Sequence, residues 1–342
     1  MAVRVGINGF GRIGRSFTRA LLTRGRDAGV ELVAVNDPMG DNSTMAFLLK
    51  HDSVGGTLRK SIEATDEGFS IDGQNVARLG VMDPAEVPWP DYEVDVVIES
   101  TGLFTGRENA AKHLGGSVER VIISAPSGDA DATICMGVND AVFDPASHTV
   151  ISNASCTTNC LAPLAKVLND AFGVEQGLMT TVHAYTSDQS LVDLAKATRS
   201  GKPDLRRMRA AGLSIVPNTT GAARAIGLVL PELKGKLDGT ALRVPTPTGS
   251  ITDLSANLAK PASKDEVNEA FAKAAVDPSY RGVLEYSDED LVSADIVGNP
   301  ASCIFSSVDT MANGPMVKVL GWYDNEWGYS NRLIDLVAFV GQ

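Results

Sequence analysis

The stretch from Val3 to Asp37 reads VRVGINGFGRIGRSFTRALLTRGRDAGVELVAVND, and its glycines restrict the fold more than any other feature of the chain. Gly9, Gly11 and Gly14 stand in G-x-G-x-x-G spacing directly after an apolar, β-rich run. Apolar residues then recur at Ile13, Phe17, Ala20 and Leu21, which is helical spacing, before a second β-rich run that ends on an acid, Asp37. Strand, glycine turn, helix and strand make a βαβ unit, which implies a parallel sheet with helices packed on it. Glycine lets the turn close and lets a pyrophosphate approach the backbone. The helix start offers unpaired N–H groups, and Asp37 can bond a ribose 2′-hydroxyl. A bare tight turn needs none of this context, so the pattern points to NAD, with the Asp37 charge opposing the extra phosphate of NADP.

Further strand candidates at 94–99, 119–124 and 148–152, separated by GG, DG and PWP turns, carry the parallel sheet to about residue 155. Residues 156–172 return to helical spacing, with Leu161, Leu164, Ala165 and Leu168 on one face and Gly173 as a stop. Pro163 inside that segment predicts a kink or a later start. Beyond it, MTTVHAYT (179–186), TRSGKPDLRRMR (198–209) and LRVPTPTGSITDL (242–254) mix strand-like runs with polar loops, the texture of a second, α+β domain. KDEVNEAFAKAA (264–275) has helical spacing, and SNRLIDLVAFV (330–340) is an apolar helix or strand able to rejoin the first domain. A length of 342 residues suits two domains.

A formal net charge of −12 would repel phosphate backbones and anionic bilayers, so neither nucleic acid nor a membrane is the expected partner. The opening MAVRVGING has no basic-then-apolar leader, and no apolar run approaches the ~20 residues a membrane span needs. A cytoplasmic location is the expectation.

Cys135, Cys156, Cys160 and Cys303 are too few for a disulfide framework. Two of them lie four apart in SNASCTTNCL (152–161), and three readings compete for this pair. Zinc would want four N or S ligands, and no second Cys/His pair with ligand spacing exists, so no metal is expected. A redox pair is more often C-x-x-C. The third reading makes Cys156 a nucleophile where a strand ends and a helix begins, since a helix N-terminus stabilises a thiolate, and leaves Cys160 as a small buried hydrophobe beside Leu164. Of His51, His113, His148 and His183, the candidate base is His183, at the end of the β-rich TVHAYT, against the alternative of a satisfied structural histidine. His113, in a polar helix-like stretch, reads as a surface residue.

INGFGRIGR (7–15), VND (35–37), ESTG (99–102), ISAP (123–126), SNASCTTNCLAPL (152–164), TVHAYT (181–186), TTGAA (219–223), LRVPT (242–246) and WYDNEWGYSN (322–331) together resemble the phosphorylating glyceraldehyde-3-phosphate dehydrogenases, in their actinobacterial form, through essentially the whole chain. The resemblance implies a Rossmann-type doubly wound parallel sheet in residues 1–155 and 325–342, and an α+β catalytic domain with a mixed or antiparallel sheet in 156–324. It implies that Phe10, Gly11, Arg12 and Ile13 lie on the NAD phosphates, Asp37 on the adenosine ribose, Thr101 and Ser124 near the dinucleotide, and Asn325 on the nicotinamide carboxamide. Cys156 would then add to the aldehyde of glyceraldehyde 3-phosphate, with His183 as base, and inorganic phosphate would cleave the resulting thioester. Thr186, Arg206 and Arg243 would hold the substrate phosphate, and Ser155, Thr157, Thr220 and Gly221 the attacking one; turn and cap chemistry would by itself be the better reading of Thr157, and the resemblance reverses that. A homotetramer is also implied.

Three features depart from the usual family pattern: a longer loop between Asp193 and Arg206, TPTGS at 246–250, and Leu103 after STG. They suit a specialised, inhibitor-tolerant paralogue. The rival functions are an erythrose-4-phosphate dehydrogenase, which shares the cysteine motif, and a non-catalytic NAD-binding redox sensor, which would not need two anion sites.

Overall fold

The computed structural model describes residues 2–195 and 203–342. Two compact units divide the chain, Met1–Ser155 with Ser330–Gln342, and Cys156–Tyr329. The expected loop feature at 194–205 falls largely outside the described residues.

In the first unit, β1 (Val3–Asn8) and β2 (Val30–Asn36) are parallel neighbours joined through α1 (Arg12–Arg24), the βαβ unit that the glycine spacing predicts. Next come α2 (Asn42–Lys50), a short pair β3 (His51–Asp52) and β4 (Gly56–Thr57), and the strands β5 (Ile62–Thr65), β6 (Gly68–Ile71) and β7 (Gln74–Leu79). The sheet resumes with β8 (Val96–Glu99), then α3 (Arg107–Ala110), β9 (Arg120–Ile123), β10 (Ala132–Thr133) and β11 (Val150–Ser152). Strand order is β10-β11-β9-β8-β1-β2-β7-β6-β5, parallel from β10 to β7 and antiparallel at β6 and β5. The central strands are continuous apolar runs, with Val5, Ile7, Val97 and Ile122 fully buried, as a parallel sheet covered on both faces requires. The chain leaves β1 toward β2 and returns on its other side as β8. The C-terminal ends of β1 and β8 therefore form the switch point at which open α/β sheets bind ligands.

In the second unit, α4 (Cys156–Phe172) occupies the span that the sequence periodicity predicts and stops at Gly173, whose φ of 72° suits glycine. Pro163 lies within the helix and does not delay its start. Leu161, Leu164 and Leu168 are fully buried, and this packing outweighs the hydrogen bond that proline removes. The rest comprises β12 (Val174–Ala184), β13 (Val216–Thr219), α5 (Ala222–Val229), β14 (Leu237–Val244), β15 (Ser250–Leu258) and α6 (Lys264–Ala275), followed by β16 (Leu284–Ser287), β17 (Cys303–Asn313) and β18 (Met316–Tyr323). The last helix, α7 (Trp327–Val340), takes the terminal apolar stretch, most of which belongs to the first unit. The second sheet runs β13-β14-β12-β15-β18-β17-β16 and is mixed, with parallel pairs only at β12–β14 and β16–β17. Along β15 the side chains alternate between buried and half-buried, so one face of this sheet is covered, and α4, α5 and α6 pack on the sheet. No helix among the described residues is long and apolar enough to cross a membrane.

Candidate active site

At the switch point of the first unit, Gly9 has a φ of 95°, and a Cβ there would sit 2.6 Å from the Thr101 nitrogen. Only glycine lets β1 turn this close to the end of β8. A Cβ on Gly14 would lie 2.6 Å from the Gly9 carbonyl oxygen, which is the tight helix-to-turn approach expected of the third glycine. Gly11 has open space in front of it, and as N-cap of α1 it leaves the helix without a side-chain cap. A pyrophosphate fits such a start, because the first N–H groups of a helix have no partner within the helix.

Phe10 is fully buried against Phe69, so only its backbone borders the turn, and its N–H donates to the Asp37 carboxylate at 2.8 Å. The other Asp37 oxygen accepts from Met39 N–H at 2.9 Å. Arg12 pairs with Asp52 at 2.6 Å. Thr101 and Ser124 stand at the ends of the neighbouring strands β8 and β9, and Ile13 lies in the first turn of α1. These residues fit a dinucleotide.

Behind that wall lies a buried polar group that the sequence reading missed. The Glu99 carboxylate accepts from Asn8 Nδ2 (2.6 Å), from Thr101 N–H (2.9 Å) and from the Thr101 hydroxyl. Trp89 Nε1–H donates to His113 Nδ1 at 3.0 Å, so Nε2 carries the ring proton and donates to Glu99 at 3.2 Å. His113 is therefore a buried residue and not a surface one. Its partners are distant in sequence, and local polarity gives no hint of them.

In the second unit, α4 begins at Cys156 and β12 ends just after His183, and the Cys156 sulfur lies 3.4 Å from His183 Nε2. His183 Nδ1 is 2.7 Å from the Ala184 carbonyl oxygen. A carbonyl only accepts, so Nδ1 is the protonated nitrogen and Nε2 presents its lone pair to the thiol. Burial pushes the Cys156 thiol up to about 11, partly offset by the Arg243 charge and by hydrogen bonds from Thr157. Burial, helped by Arg243, pulls His183 down to about 3. Neither charge is favourable alone. The proton therefore moves within the pair, where each charge compensates the other. Cys160 and Cys303 are fully buried and Cys135 nearly so, which leaves Cys156 as the accessible thiol.

Arg243 Nη1 donates to the Ala184 carbonyl at 3.0 Å and to the Thr186 hydroxyl at 2.8 Å, so Cys156, His183, Thr186 and Arg243 form one connected set. Arg206 is not joined to it directly. It is exposed and donates to the Pro217 carbonyl at 3.3 Å. The neighbouring Arg207 pairs with Asp188 at 2.5 Å, and Asp188 also accepts from the Thr186 hydroxyl. The resemblance named Arg206, and a loop without periodicity does not show which of two adjacent arginines meets Thr186 and its neighbours. Thr220 and Gly221 lead into α5, where Gly221 is the N-cap and the Thr220 hydroxyl accepts from the Ala222 N–H at 3.1 Å. The Thr157 hydroxyl is 2.9 Å from the Tyr323 phenol. Asn325 is buried, its side-chain oxygen accepting from the Ser250 hydroxyl at 2.8 Å. Ser155 is half-buried at the end of the first unit.

Two family models match the chain: "Glyceraldehyde 3-phosphate dehydrogenase, NAD binding domain" over residues 3–107 and "Glyceraldehyde 3-phosphate dehydrogenase, C-terminal domain" over residues 155–325. Among curated proteins, the glyceraldehyde-3-phosphate dehydrogenase of Streptomyces coelicolor is 56% identical over 342 residues, covering 100% of this chain and 99% of the relative. The enzyme of the same name from Mycobacterium avium is 57% identical over 346 residues, with the same coverage.

Proposed function

Because the chain belongs to the glyceraldehyde-3-phosphate dehydrogenase family, we propose that Cys156 and His183 carry its chemistry, the 3.4 Å contact between thiol and imidazole being the observation that bears most weight. The protein is an NAD-dependent oxidoreductase of glycolysis that oxidises glyceraldehyde 3-phosphate and conserves the energy as an acyl phosphate. In this reading residues 1–155 and the C-terminal helix bind NAD, and the segment from Cys156 is catalytic. Bound NAD supplies the hydride acceptor.

Attack of the Cys156 sulfur on the aldehyde carbon passes the thiol proton to His183 Nε2, which returns it to the carbonyl oxygen to give the hemithioacetal hydroxyl and a neutral imidazole. His183 then accepts the hydroxyl proton as the hydride departs, leaving a thioester on Cys156. The Cys156 N–H, at the start of α4, and His183 stabilise the oxyanion. Phosphate attacks the thioester carbon and the sulfur leaves, yielding 1,3-bisphosphoglycerate. Thr186 and Arg243 are suited to the substrate phosphate, and Arg207, linked to Thr186 through Asp188, suits this role better than Arg206. Ser155, Thr220 and Gly221 are assigned to the attacking phosphate.

A cytoplasmic location agrees with a glycolytic role. A homotetramer agrees with the uncovered face of the second sheet, where Leu242, Val182, Ile251 and Trp322 line up across four strands beside the exposed Leu178 and Met316. The deciding assay follows NADH formation from glyceraldehyde 3-phosphate with and without inorganic phosphate, using Cys156→Ser as control. Sustained turnover should require both phosphate and Cys156. Turnover that ignores either one would overturn the mechanism, and faster turnover on erythrose 4-phosphate would reassign the substrate.

A further inference from the structure

Glu99, at the end of β8, is held by neighbours whose proton positions the structure fixes. Asn36 Oδ1 accepts from Val81 N–H at 2.8 Å and its Nδ2 donates to the Val81 carbonyl at 2.9 Å, so main-chain partners set the orientation of this amide. The same Nδ2 donates to Asn8 Oδ1 at 2.7 Å, which turns Asn8 Nδ2 toward Glu99. Trp89 N–H occupies His113 Nδ1, so the imidazole is neutral, and its Nε2–H donates to the Glu99 oxygen that Asn8 also reaches. The Thr101 N–H and hydroxyl serve the other oxygen, and that hydroxyl accepts in turn from Leu103 N–H at 2.9 Å. Four donors thus meet two oxygens, and a proton on the carboxyl would find no acceptor among them. Glu99 is therefore a carboxylate with a fully buried side chain, and none of its four donors carries a charge.

A buried charge with no cation beside it is costly, so stability does not account for it. Of the cations on the glycine turn, Arg12 is matched by Asp52 at 2.6 Å, and Arg15 donates to the Phe10 carbonyl at 2.7 Å. Asp37 follows β2 and suits the adenosine ribose, and a dinucleotide laid across the switch point runs from there over β1 toward β8. The nicotinamide half then lies on the side of Glu99. Its ring bears a positive charge when oxidised and none when reduced. We propose that the Glu99 carboxylate is a fixed charge that discriminates between the two redox states of the cofactor, favouring NAD over NADH and so easing release of the reduced product. Glu99 acts through the wall and touches no reacting atom. The inference rests on the first unit binding NAD.

The test is isothermal titration of the full-length protein with NAD, NADH and ADP-ribose in turn. Glu99→Gln keeps the size of the side chain and removes the charge. It should lower the ratio of the NADH to the NAD dissociation constant by roughly three- to tenfold, the scale of a screened unit charge about 10 Å away. ADP-ribose has the charge of NADH and no nicotinamide ring, so its affinity should change in step with that of NADH. Glu99→Asp keeps the charge and should keep the wild-type ratio, whatever it does to the three affinities together. A purely structural role would weaken the three ligands alike in Glu99→Gln, and that result would overturn the inference. A Glu99→Asp ratio shifted as far as that of Glu99→Gln would do the same. If Glu99→Gln does not fold, Leu103→Lys carries the test. Leu103 is exposed two residues past Thr101, and a cation there should move the ratio the same way by about twofold, whereas an unmoved ratio would overturn the inference. Should the wild type bind none of the three ligands, the reading of the first unit as the NAD-binding unit fails, and the inference falls with it.

Discussion

At the scale of single residues, burial makes the charge of Cys156 and that of His183 depend on each other. With His183 present, a proton leaving Cys156 has an acceptor 3.4 Å away. In His183→Asn no such acceptor remains, so desolvation governs the thiol and its ionisation moves toward the value of about 11 that burial sets. Alkylation of Cys156 at pH 7 should then fall by at least about a hundredfold and climb steadily with pH, and the loss of general-base action should lower kcat by roughly 10²–10⁴. A variant that alkylates like the wild type at pH 7 would show that His183 does not take the proton. The proximity of Cys156 and His183 was legible in the sequence, because both sit at element ends that periodicity marks. The buried contacts of Tyr323 and Thr181, and the pairing of Arg207 with Asp188, were not. Tyr323 lies 142 positions from Thr181 and 166 from Thr157, and they meet only because β18 and β12 both pair with β15 and α4 packs on that sheet.

At the scale of elements, the first glycine of the turn shows how local sequence sets a binding surface. Gly9→Ala would add a Cβ 2.6 Å from the Thr101 nitrogen at a backbone angle that L-residues avoid, so the β1 turn and the β8 turn would have to part. Isothermal titration should register a large loss of NAD affinity, tenfold or more by rough estimate from about 1–3 kcal/mol of strain, in a protein that otherwise keeps its second unit. Affinity at the wild-type level would mean that the dinucleotide does not depend on this approach. A second element-scale device is Asp131, 14% exposed, which joins Arg107 of α3 to the start of β11. Burial alone would raise its carboxyl, but Arg107 and the Val150 and Thr149 donors outweigh this and hold it at about 2. The unfolded chain titrates near 3.8, so the folded form binds fewer protons between these values and stability drops as pH falls from about 4 to 2. Asp131→Asn should cost about 2 kcal/mol in urea unfolding at pH 7, and the gap to wild type should narrow in that acid window. A gap that persists unchanged at pH 2 would assign the cost to packing instead. These helices and strands follow patterns that a single sequence displays: α4 keeps to 156–172 and α6 to 264–275, the latter opened by a Ser263–Glu266 capping box. The long reach of β12 and the pairing order of the second sheet lie beyond local pattern, because register there depends on which face the helices cover.

At the scale of the whole molecule, the second sheet has a face with apolar side chains that the described residues leave partly exposed. Leu178 is 69% and Met316 48% exposed, and half-buried Val182, Leu242, Leu320 and Trp322 stand on the same side by strand register. Apolar side chains exposed in this way are costly in water, and the simplest partner for them is the same face of a second copy, since two-fold contacts are self-complementary. The net charge of −12 does not oppose this pairing locally, because Lys318 and Asp253 neutralise each other on that face through a 2.8 Å bond. One such two-fold contact joins two chains, so sedimentation should give at least two chains per particle for the wild type, and four where a second interface joins two such pairs. The double substitution Leu178→Glu and Leu320→Glu should yield smaller species, because like charges would meet across the symmetry axis at a cost of several kcal/mol. Both sites are at least partly exposed within one chain, so the thermal midpoint of the dissociated protein should reflect lost assembly more than lost folding. A wild-type protein that sediments as a single chain, or a double variant that still assembles fully, would move the interface to another face.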